Sequence, residues 1–313
     1  MMQGRSSRSY LVLVLLSTFL QGSSFVATKA VLQDVQPMWL ATLRFALAAV
    51  SLLPVLIPRL LRPRGEGGPP LPWLRLAIIG LLQSTGVMAF LNIGLTSTTA
   101  PMAAILMASN PLLVALLAGL VLREPVRGQV WAGLAISFIG VVICIGAGTV
   151  IHGAVGRGEL LVMLGSTCWA LATLVTKRFN LHVDAWVLAF WQMLFGSMAL
   201  ALVALVRGDD FSLPASTTTW LYFLWLAIPA STGAMGLWFA ALRIGGAVHT
   251  SGFLFLCPLF AAVMAFVLHG EVVSWNEIAG GLLIAIGIVL VTRQRALAAL
   301  PATTGRASAG RVP

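Results

Sequence analysis

The sequence predicts an all-α membrane protein with ten transmembrane helices, arranged as two five-helix repeats of inverted topology. The first observation behind this is the composition: 59% of the 313 residues are hydrophobic and only 9% are charged. A soluble protein carries about 25% charged residues, so this chain lacks the charge to cover a water-exposed surface. The other two observations are ten long apolar segments and a sequence repeat between the halves of the chain.

Each of the ten segments is apolar and long enough to cross the hydrocarbon core of a bilayer, which takes about 20 residues of helix. The segments are residues 10–32, 38–58, 73–95, 100–122, 129–149, 158–179, 185–206, 219–242, 248–268 and 275–292. Residues 1–9 precede them. Residues 293–313 are rich in Ala, Thr, Ser and Gly, and we expect them to form a disordered tail.

The basic residues predict the orientation of the helices. If the N-terminus is cytoplasmic, 15 of the 19 Lys and Arg residues fall on the cytoplasmic side, three fall on the opposite side, and Arg44 lies within the second segment. Because Lys and Arg collect in cytoplasmic loops, we expect both termini in the cytoplasm. The same bias explains the net charge of +10, so we expect no nucleic-acid partner.

The two halves of the chain match each other at an offset of 147 residues across three segments, and at an offset one larger in the first segment of each half, where Thr28-Lys29 matches Thr176-Lys177. At the offset of 147 residues Ser84-Thr85-Gly86 corresponds to Ser231-Thr232-Gly233. The other matching pairs are Trp73 and Trp220, Ala100 and Ala247, Pro111 and Pro258, Glu124 and Glu271, Gly133 and Gly280, and Gly140 and Gly287. Each unit contains five segments, an odd number, so the second copy enters the membrane from the opposite side. We predict a first repeat over residues 10–149 and a second over 158–292.

The motifs of the fourth, fifth and ninth segments resemble a known family. They read Asn110-Pro111-Leu112, Leu122-Arg123-Glu124-Pro125, Cys257-Pro258-Leu259 and Gly270-Glu271. Their double occurrence resembles the EamA-type ten-helix members of the drug/metabolite transporter superfamily, over about residues 10–292. The resemblance implies the EamA fold, an inner-membrane location, cytoplasmic termini and export of metabolites. Within the family the chain looks most like the YddG-type exporters of aromatic amino acids.

Polar side chains inside the apolar segments are the candidates for a substrate pathway, because polar groups are costly in hydrocarbon. One face of the first segment carries a polar stripe at helical spacing: Ser17, Gln21, Ser24 and Thr28. The sixth segment carries a similar stripe: Ser166, Trp169, Thr173 and Thr176. We predict a substrate cavity lined by Gln21, Ser24, Thr28, Arg44, Gln83, Ser84, Asn92, Asn110, Trp169, Thr173, Trp191 and Trp238.

Several of these residues also have a purely structural interpretation. Ser and Thr mediate helix packing in membranes, and deep tryptophans fill space between helices. Arg44 holds a substrate carboxylate, extends outward to the membrane interface, or bonds to backbone carbonyls. Pro111 and Pro258 interrupt the fourth and ninth segments, where a missing backbone hydrogen bond produces either a hinge or a static kink.

The apolar segments contain no group suited to catalysis, metal binding or ion coupling. All nine acidic residues and the four histidines fall in loops or at segment ends, and no phosphate-binding P-loop motif occurs. Proton- and sodium-coupled carriers usually place a carboxylate within the membrane. We therefore predict a protein that is not an enzyme, uses no cofactor or metal, and works down the gradient of its own substrate.

The predicted function is export of small metabolites, above all aromatic or other apolar amino acids, by alternating access through a central cavity. The alternatives are export of nucleoside-like or amphipathic metabolites or drugs, a membrane-embedded lipid-modifying enzyme, and a channel. The predicted partners are a small-molecule substrate and the lipid bilayer, and we expect a monomer.

Overall fold

The regular structure of the chain is helical throughout the part that can be described. The structure is a computed structural model that describes residues 2–60, 71–121, 128–145, 155–179, 181, 183–238, 240–241, 244 and 253–298. Its ten helices are α1 (Met2–Val31), α2 (Pro37–Leu60), α3 (Trp73–Leu95), α4 (Ala100–Ala108 and Asn110–Val121), α5 (Gly128–Ile145), α6 (Arg157–Phe179), α7 (Ala185–Arg207), α8 (Thr217–Trp238), α9 (Leu256–His269) and α10 (Trp275–Ala298).

The lengths and surfaces of these helices fit a membrane. Among the described residues, six helices are long and apolar enough to cross a bilayer, and shorter apolar stretches of α4, α5, α9 and α10 supply the others. Large apolar side chains cover outer faces, including Phe138, which is 70% exposed, and Leu202, which is 62% exposed. Such surfaces are rare on soluble monomers and suit a lipid environment. The all-α membrane fold predicted from the sequence is confirmed.

Local residues explain several helix ends. At the start of α7, a carboxylate oxygen of Asp184 accepts a hydrogen bond from the backbone N–H of Trp186 at 2.9 Å, and so caps an otherwise unpaired donor. Gly208 follows α7 and Gly270 follows α9, with φ angles of 70° and 67°. Both glycines end their helices in the left-handed conformation, which other residues adopt at a cost.

The packing of the helices repeats the symmetry of the sequence. The most extensive helix–helix contacts are α5 with α10, α2 with α7, α4 with α9, α3 with α6, α1 with α8, α4 with α6, α1 with α9, α3 with α7 and α2 with α8. Exchanging each helix for its repeat mate maps this set onto itself: α3–α6 becomes α8–α1, and α4–α6 becomes α9–α1. The two repeats are therefore interleaved around a pseudo-two-fold axis, as inverted repeats require.

Two local irregularities of the backbone also occur once in each repeat. The first is a π-helical segment, which covers Leu81–Gly86 in α3 and Ile228–Gly233 in α8. These two segments are separated by the same 147 residues that relate the repeats. In a π turn the backbone hydrogen bond spans one residue more than in an α-helix, so the turn is wider. Such turns are frequent at functional sites.

The second irregularity is a break in α4 and a corresponding change at the start of α9. The helix α4 is interrupted at Ser109 and resumes at Asn110, whereas a 3-10 turn over Phe253–Phe255 precedes α9. Pro258 therefore lies in the first turn of α9, where a missing backbone N–H is tolerated. The ninth apolar segment was predicted to start at residue 248, but the described part of α9 starts eight residues later. Residues 245–252 lie outside the described ranges.

Candidate substrate cavity

The two repeats together line a cavity with two lobes, of about 190 Å³ and about 260 Å³. We call it the central cavity. The residues common to the walls of both lobes are Gln21, Arg44, Gln83, Met88, Trp169, Ala230 and Leu254. They come from α1, α2, α3, α6, α8 and the turn before α9. Because both repeats supply walls, the cavity lies at the interface between them, where inverted-repeat transporters bind substrate.

The π-helical segments of α3 and α8 both provide wall residues of the central cavity. Gln83 and Ser84 come from the first segment, and Ala230 and Ser231 from the second. The wider π turn changes the angular position of these residues relative to the rest of their helix. The Ser-Thr-Gly motif that is repeated in the sequence therefore marks the cavity wall.

The threonines of the same motif tie each π-helical segment to the second helix of the other repeat. The hydroxyl of Thr85 donates to the carbonyl oxygen of Gly196 in α7 at 3.3 Å. The hydroxyl of Thr232 donates to the carbonyl oxygen of Ala48 in α2 at 3.2 Å. These bonds are equivalent under the repeat, so each π-helical segment is held against the other repeat in the same way.

Arg44 supplies a positive charge to the central cavity. Its side chain is only 6% exposed and lines both lobes. The Nε–H donates to the hydroxyl oxygen of Ser231 at 2.9 Å, and that hydroxyl donates to the carbonyl of Leu226 at 2.8 Å. Arg44 therefore points into the cavity from α2, with its orientation fixed by a residue of the opposite repeat.

The amide side chains in the walls are also anchored across helices. Gln21 in α1 donates from Nε2 to the hydroxyl of Ser17 at 3.1 Å, and Ser17 donates to the carbonyl of Ala234 in α8 at 2.9 Å. Asn110 in α4 donates from Nδ2 to the carbonyl of Ser166 in α6 at 2.8 Å. Each amide uses a donor to fix itself and keeps its carbonyl oxygen as an acceptor.

The structure brings together eight of the twelve residues predicted to line the cavity. These eight are Gln21, Ser24, Arg44, Gln83, Ser84, Asn110, Trp169 and Trp238. The other four lie elsewhere. Thr28 is buried, the amide of Asn92 donates to the carbonyl of Pro37 at 3.1 Å, and Thr173 is exposed and donates to the carbonyl of Trp169. Trp191 packs against Trp73, with ring centroids 4.7 Å apart.

Two kinds of residue line the cavity although the sequence did not predict them there. Gln192 in α7 lines the larger lobe, and the rule that selected Gln21, a polar side chain inside an apolar segment, also applies to it. The methionines Met88, Met107, Met193 and Met235 line the walls as well. They carry no sequence signal, because a methionine that faces a cavity has the same local pattern as one that fills a core.

The proposed hinge prolines lie beside the cavity. Asn110 and Cys257, which directly precede Pro111 and Pro258, both line the smaller lobe. The side chain of Pro111 lies outside the described part of the chain, although the break at Ser109 comes just before it. Backbone irregularity at membrane depth is tolerated where it faces a cavity.

The acidic residues that the structure describes lie away from the central cavity. Glu271 forms an ion pair with Lys29 at 2.7 Å, Glu159 accepts from Thr98 at 2.8 Å, and Asp209 pairs with Arg207 at 3.3 Å. Glu66 and Glu124 lie outside the described ranges. Within those ranges no group of three His, Cys, Asp or Glu side chains could hold a metal ion.

An interleaved inverted repeat that encloses a partly polar cavity defines a multi-pass membrane transporter. The chain belongs to the EamA-like transporter family, which matches residues 8–146 and again residues 156–293. This match confirms the resemblance to EamA-type transporters inferred from the proline motifs.

Relatives across bacteria and archaea are similar over nearly the whole chain. An uncharacterized transporter of Archaeoglobus fulgidus is 29% identical and is covered over 99% of its length by 93% of this chain. The uncharacterized transporter YyaM of Bacillus subtilis is 27% identical, with 90% of this chain and 92% of the relative covered. The uncharacterized inner membrane transporter YedA of Escherichia coli is 26% identical, with coverages of 87% and 86%.

A solved crystal structure has the same fold. It superposes with a TM-score of 0.63 at 21% sequence identity and covers 93% of this chain and 99% of its own. At this identity the similarity concerns the fold alone.

Proposed function

We propose that the protein is a secondary transporter that exports small metabolites with an apolar body and a carboxylate, above all aromatic or other apolar amino acids. Transport takes place by alternating access through the central cavity. The protein works as a monomer in a bacterial-type inner membrane, with both termini in the cytoplasm. The observation that carries this proposal is Arg44, a buried cation in a cavity whose other walls are mostly apolar.

The chemistry of the walls supports a ligand of this kind. A guanidinium group binds a carboxylate through parallel N–H donors, and burial strengthens the interaction because water no longer screens it. Trp169 lines both lobes, and Phe25 lines the smaller one, so an apolar or aromatic body has surfaces to contact. The amide oxygens of Gln21 and Asn110 add neutral acceptors.

The symmetry of the fold supports alternating access. The threonine bonds and the helix contacts of one repeat have equivalents in the other, which is the symmetry expected where two repeats exchange roles between two arrangements. A cavity bounded by both repeats then opens to one side or to the other as the repeats move relative to each other.

The test is counterflow in proteoliposomes. Vesicles are loaded with an unlabelled amino acid, nucleoside or organic acid, and uptake of the labelled compound is followed. We expect saturable exchange for apolar amino acids, which a channel does not give. Gln21→Ala and Trp169→Ala should each reduce exchange by about tenfold or more, since loss of about 1.4 kcal/mol of binding corresponds to a factor of ten.

Thr167→Ala is the matched control in α6, because its hydroxyl only bonds to the carbonyl of Met163 within the same helix. Its exchange should equal that of the wild type. Wild-type rates for both Gln21→Ala and Trp169→Ala would show that the central cavity is not the substrate site.

A further inference from the structure

We infer that the central cavity recognises its substrate through one negative charge and does not require an α-ammonium group, so that apolar organic monoanions bind better than the corresponding amino acids. Aryl and alkyl 2-oxo acids are the simplest members of this class. This inference rests on the proposed function, because it takes the central cavity as the substrate site. It ranks the carboxylates that this site takes by affinity, with 2-oxo acids ahead of the corresponding amino acids.

Most N–H donors of Arg44 have no hydrogen-bond partner among the described residues. A guanidinium has five N–H donors. Only Nε–H has a hydrogen-bond partner among the described residues, namely Ser231. The two terminal nitrogens therefore remain for a ligand. The two terminal nitrogens of a guanidinium form a fork of parallel donors that matches a carboxylate.

The described walls of the central cavity carry a net positive charge. Arg44 is the only charged residue among the described residues that line either lobe. Two of the described carboxylates are engaged outside the cavity, since Glu271 pairs with Lys29 and Glu159 accepts from Thr98. The described walls thus carry one positive charge with no counter-charge of their own, and a buried charge without a partner is costly.

A 2-oxo acid and the corresponding amino acid differ only in the α-substituent, and these walls interact with the two differently. A monoanion neutralises Arg44 and leaves no charge over. A zwitterionic amino acid brings its ammonium group close to Arg44, and the described walls offer that group only neutral acceptors, such as Gln21 and Asn110. The ammonium therefore loses its hydration and is repelled by the guanidinium, and no carboxylate of the described walls compensates for this.

Each lobe of the central cavity is large enough for the apolar body of such a ligand. A dry cavity of roughly 150 Å³ holds a benzene ring. The lobes measure about 190 Å³ and 260 Å³ and share Arg44 in their walls. With the carboxylate on Arg44, an aromatic or branched aliphatic body fills one lobe, against Met88 and Trp169. The same geometry disfavours organic cations, which would face the guanidinium.

The experiment compares matched ligands that share one apolar body. With purified protein in proteoliposomes, phenylalanine, phenylpyruvate and phenethylamine compete for exchange, and leucine and its 2-oxo acid form a second pair. We expect each 2-oxo acid to compete about tenfold better than its amino acid, and phenethylamine not to compete. Arg44→Gln should abolish the preference, whereas Arg44→Lys should keep it with weaker binding. Arg178→Gln, an exposed arginine far from the cavity, should behave as the wild type.

The outcomes separate this inference from the proposed function. Tighter competition by an amino acid than by its 2-oxo acid, or competition by phenethylamine, would overturn the inference while leaving the transporter function intact. Absence of exchange for every amino acid and 2-oxo acid would overturn both. The comparison of the ligands on the wild-type protein decides the question even if Arg44→Gln does not fold.

Discussion

The ammonium group of Lys29 lies 2.7 Å from a carboxylate oxygen of Glu271. Lys29 is in the last turn of α1, and Glu271 follows Gly270 at the end of α9, so the ion pair joins the two repeats at one end of their interface. Both helices also supply walls of the central cavity, through Gln21 and Cys257. The pair therefore links the position of one cavity wall to that of another.

We predict that this ion pair biases the transporter toward the arrangement described here. The side chains are 30% and 23% exposed, so the pair is worth about 1 kcal/mol at most. Lys29→Gln or Glu271→Gln should change the exchange rate about two- to fivefold. The exchanged pair, Lys29→Glu with Glu271→Lys, should recover most of the wild-type rate. Rates for the exchanged pair that are no better than those of either single variant would refute a pairwise role.

Ser231 fixes the orientation of Arg44, so its removal should weaken substrate binding without unfolding the protein. Ser231→Ala leaves Nε of Arg44 without its partner, and hydrogen bonds to charged groups contribute about 1.5–3 kcal/mol. We expect the half-saturation concentration of exchange to rise about tenfold. Ser197→Ala is the control, because that buried hydroxyl bonds only to the carbonyl of Leu194 in its own helix. An unchanged half-saturation concentration in Ser231→Ala would show that Arg44 needs no orientation by Ser231.

Gly22 permits the close crossing of α1 and α9. A Cβ atom at this position would lie 2.5 Å from the carbonyl oxygen of Cys257 and 2.9 Å from Cβ of Phe260. Gly22→Ala should therefore destabilise the protein by about 1–3 kcal/mol and lower its Tm, measured by thermal unfolding in detergent. Gly281→Ala in α10 is the matched control, since its Cβ would meet only Ile105 at 3.8 Å. There the helix propensity of Ala should leave the Tm unchanged or raise it. Equal Tm values for the two variants would contradict the steric argument.

The proposed orientation can be checked by labelling cysteines from one side. In a variant without the native Cys144, Cys168 and Cys257, the changes Gln3→Cys and Gly305→Cys introduce thiols near the two ends of the chain. A membrane-impermeant reagent should label them in inverted vesicles and leave them unlabelled in intact cells, because the distribution of basic residues predicts that both ends are cytoplasmic. Labelling of either thiol in intact cells would reverse the assignment.

Transport should not require an ion gradient. An ion can bias a carrier only if it binds its two states with different affinity, and no acidic or histidine side chain lines the described walls of the central cavity. Arginine stays protonated, so Arg44 does not carry protons. We expect efflux and counterflow in proteoliposomes without any imposed gradient. Uphill accumulation of substrate driven by a pH gradient alone would reveal a coupling site.

The sequence by itself determined the membrane fold and its symmetry. Ten apolar segments follow from local composition, because each helix satisfies its own backbone hydrogen bonds and needs only a continuous apolar surface to sit in lipid. The Ser-Thr-Gly motif, which begins at Ser84 and again at Ser231, relates the two halves through residue identities alone. Both copies of this motif then proved to lie in equivalent π-helical segments at the cavity.

Only the tertiary structure decided which polar side chains meet in the cavity. Helical spacing defines a face, but the neighbouring helix determines whether that face is covered. Asn92 is covered by the start of α2, where it bonds to Pro37, and Trp191 by the ring of Trp73, whereas Gln192 beside it faces the larger lobe. The partner of Arg44, Ser231, is 187 residues away along the chain. Contacts of this range depend on how the two repeats interleave, which local sequence patterns do not encode.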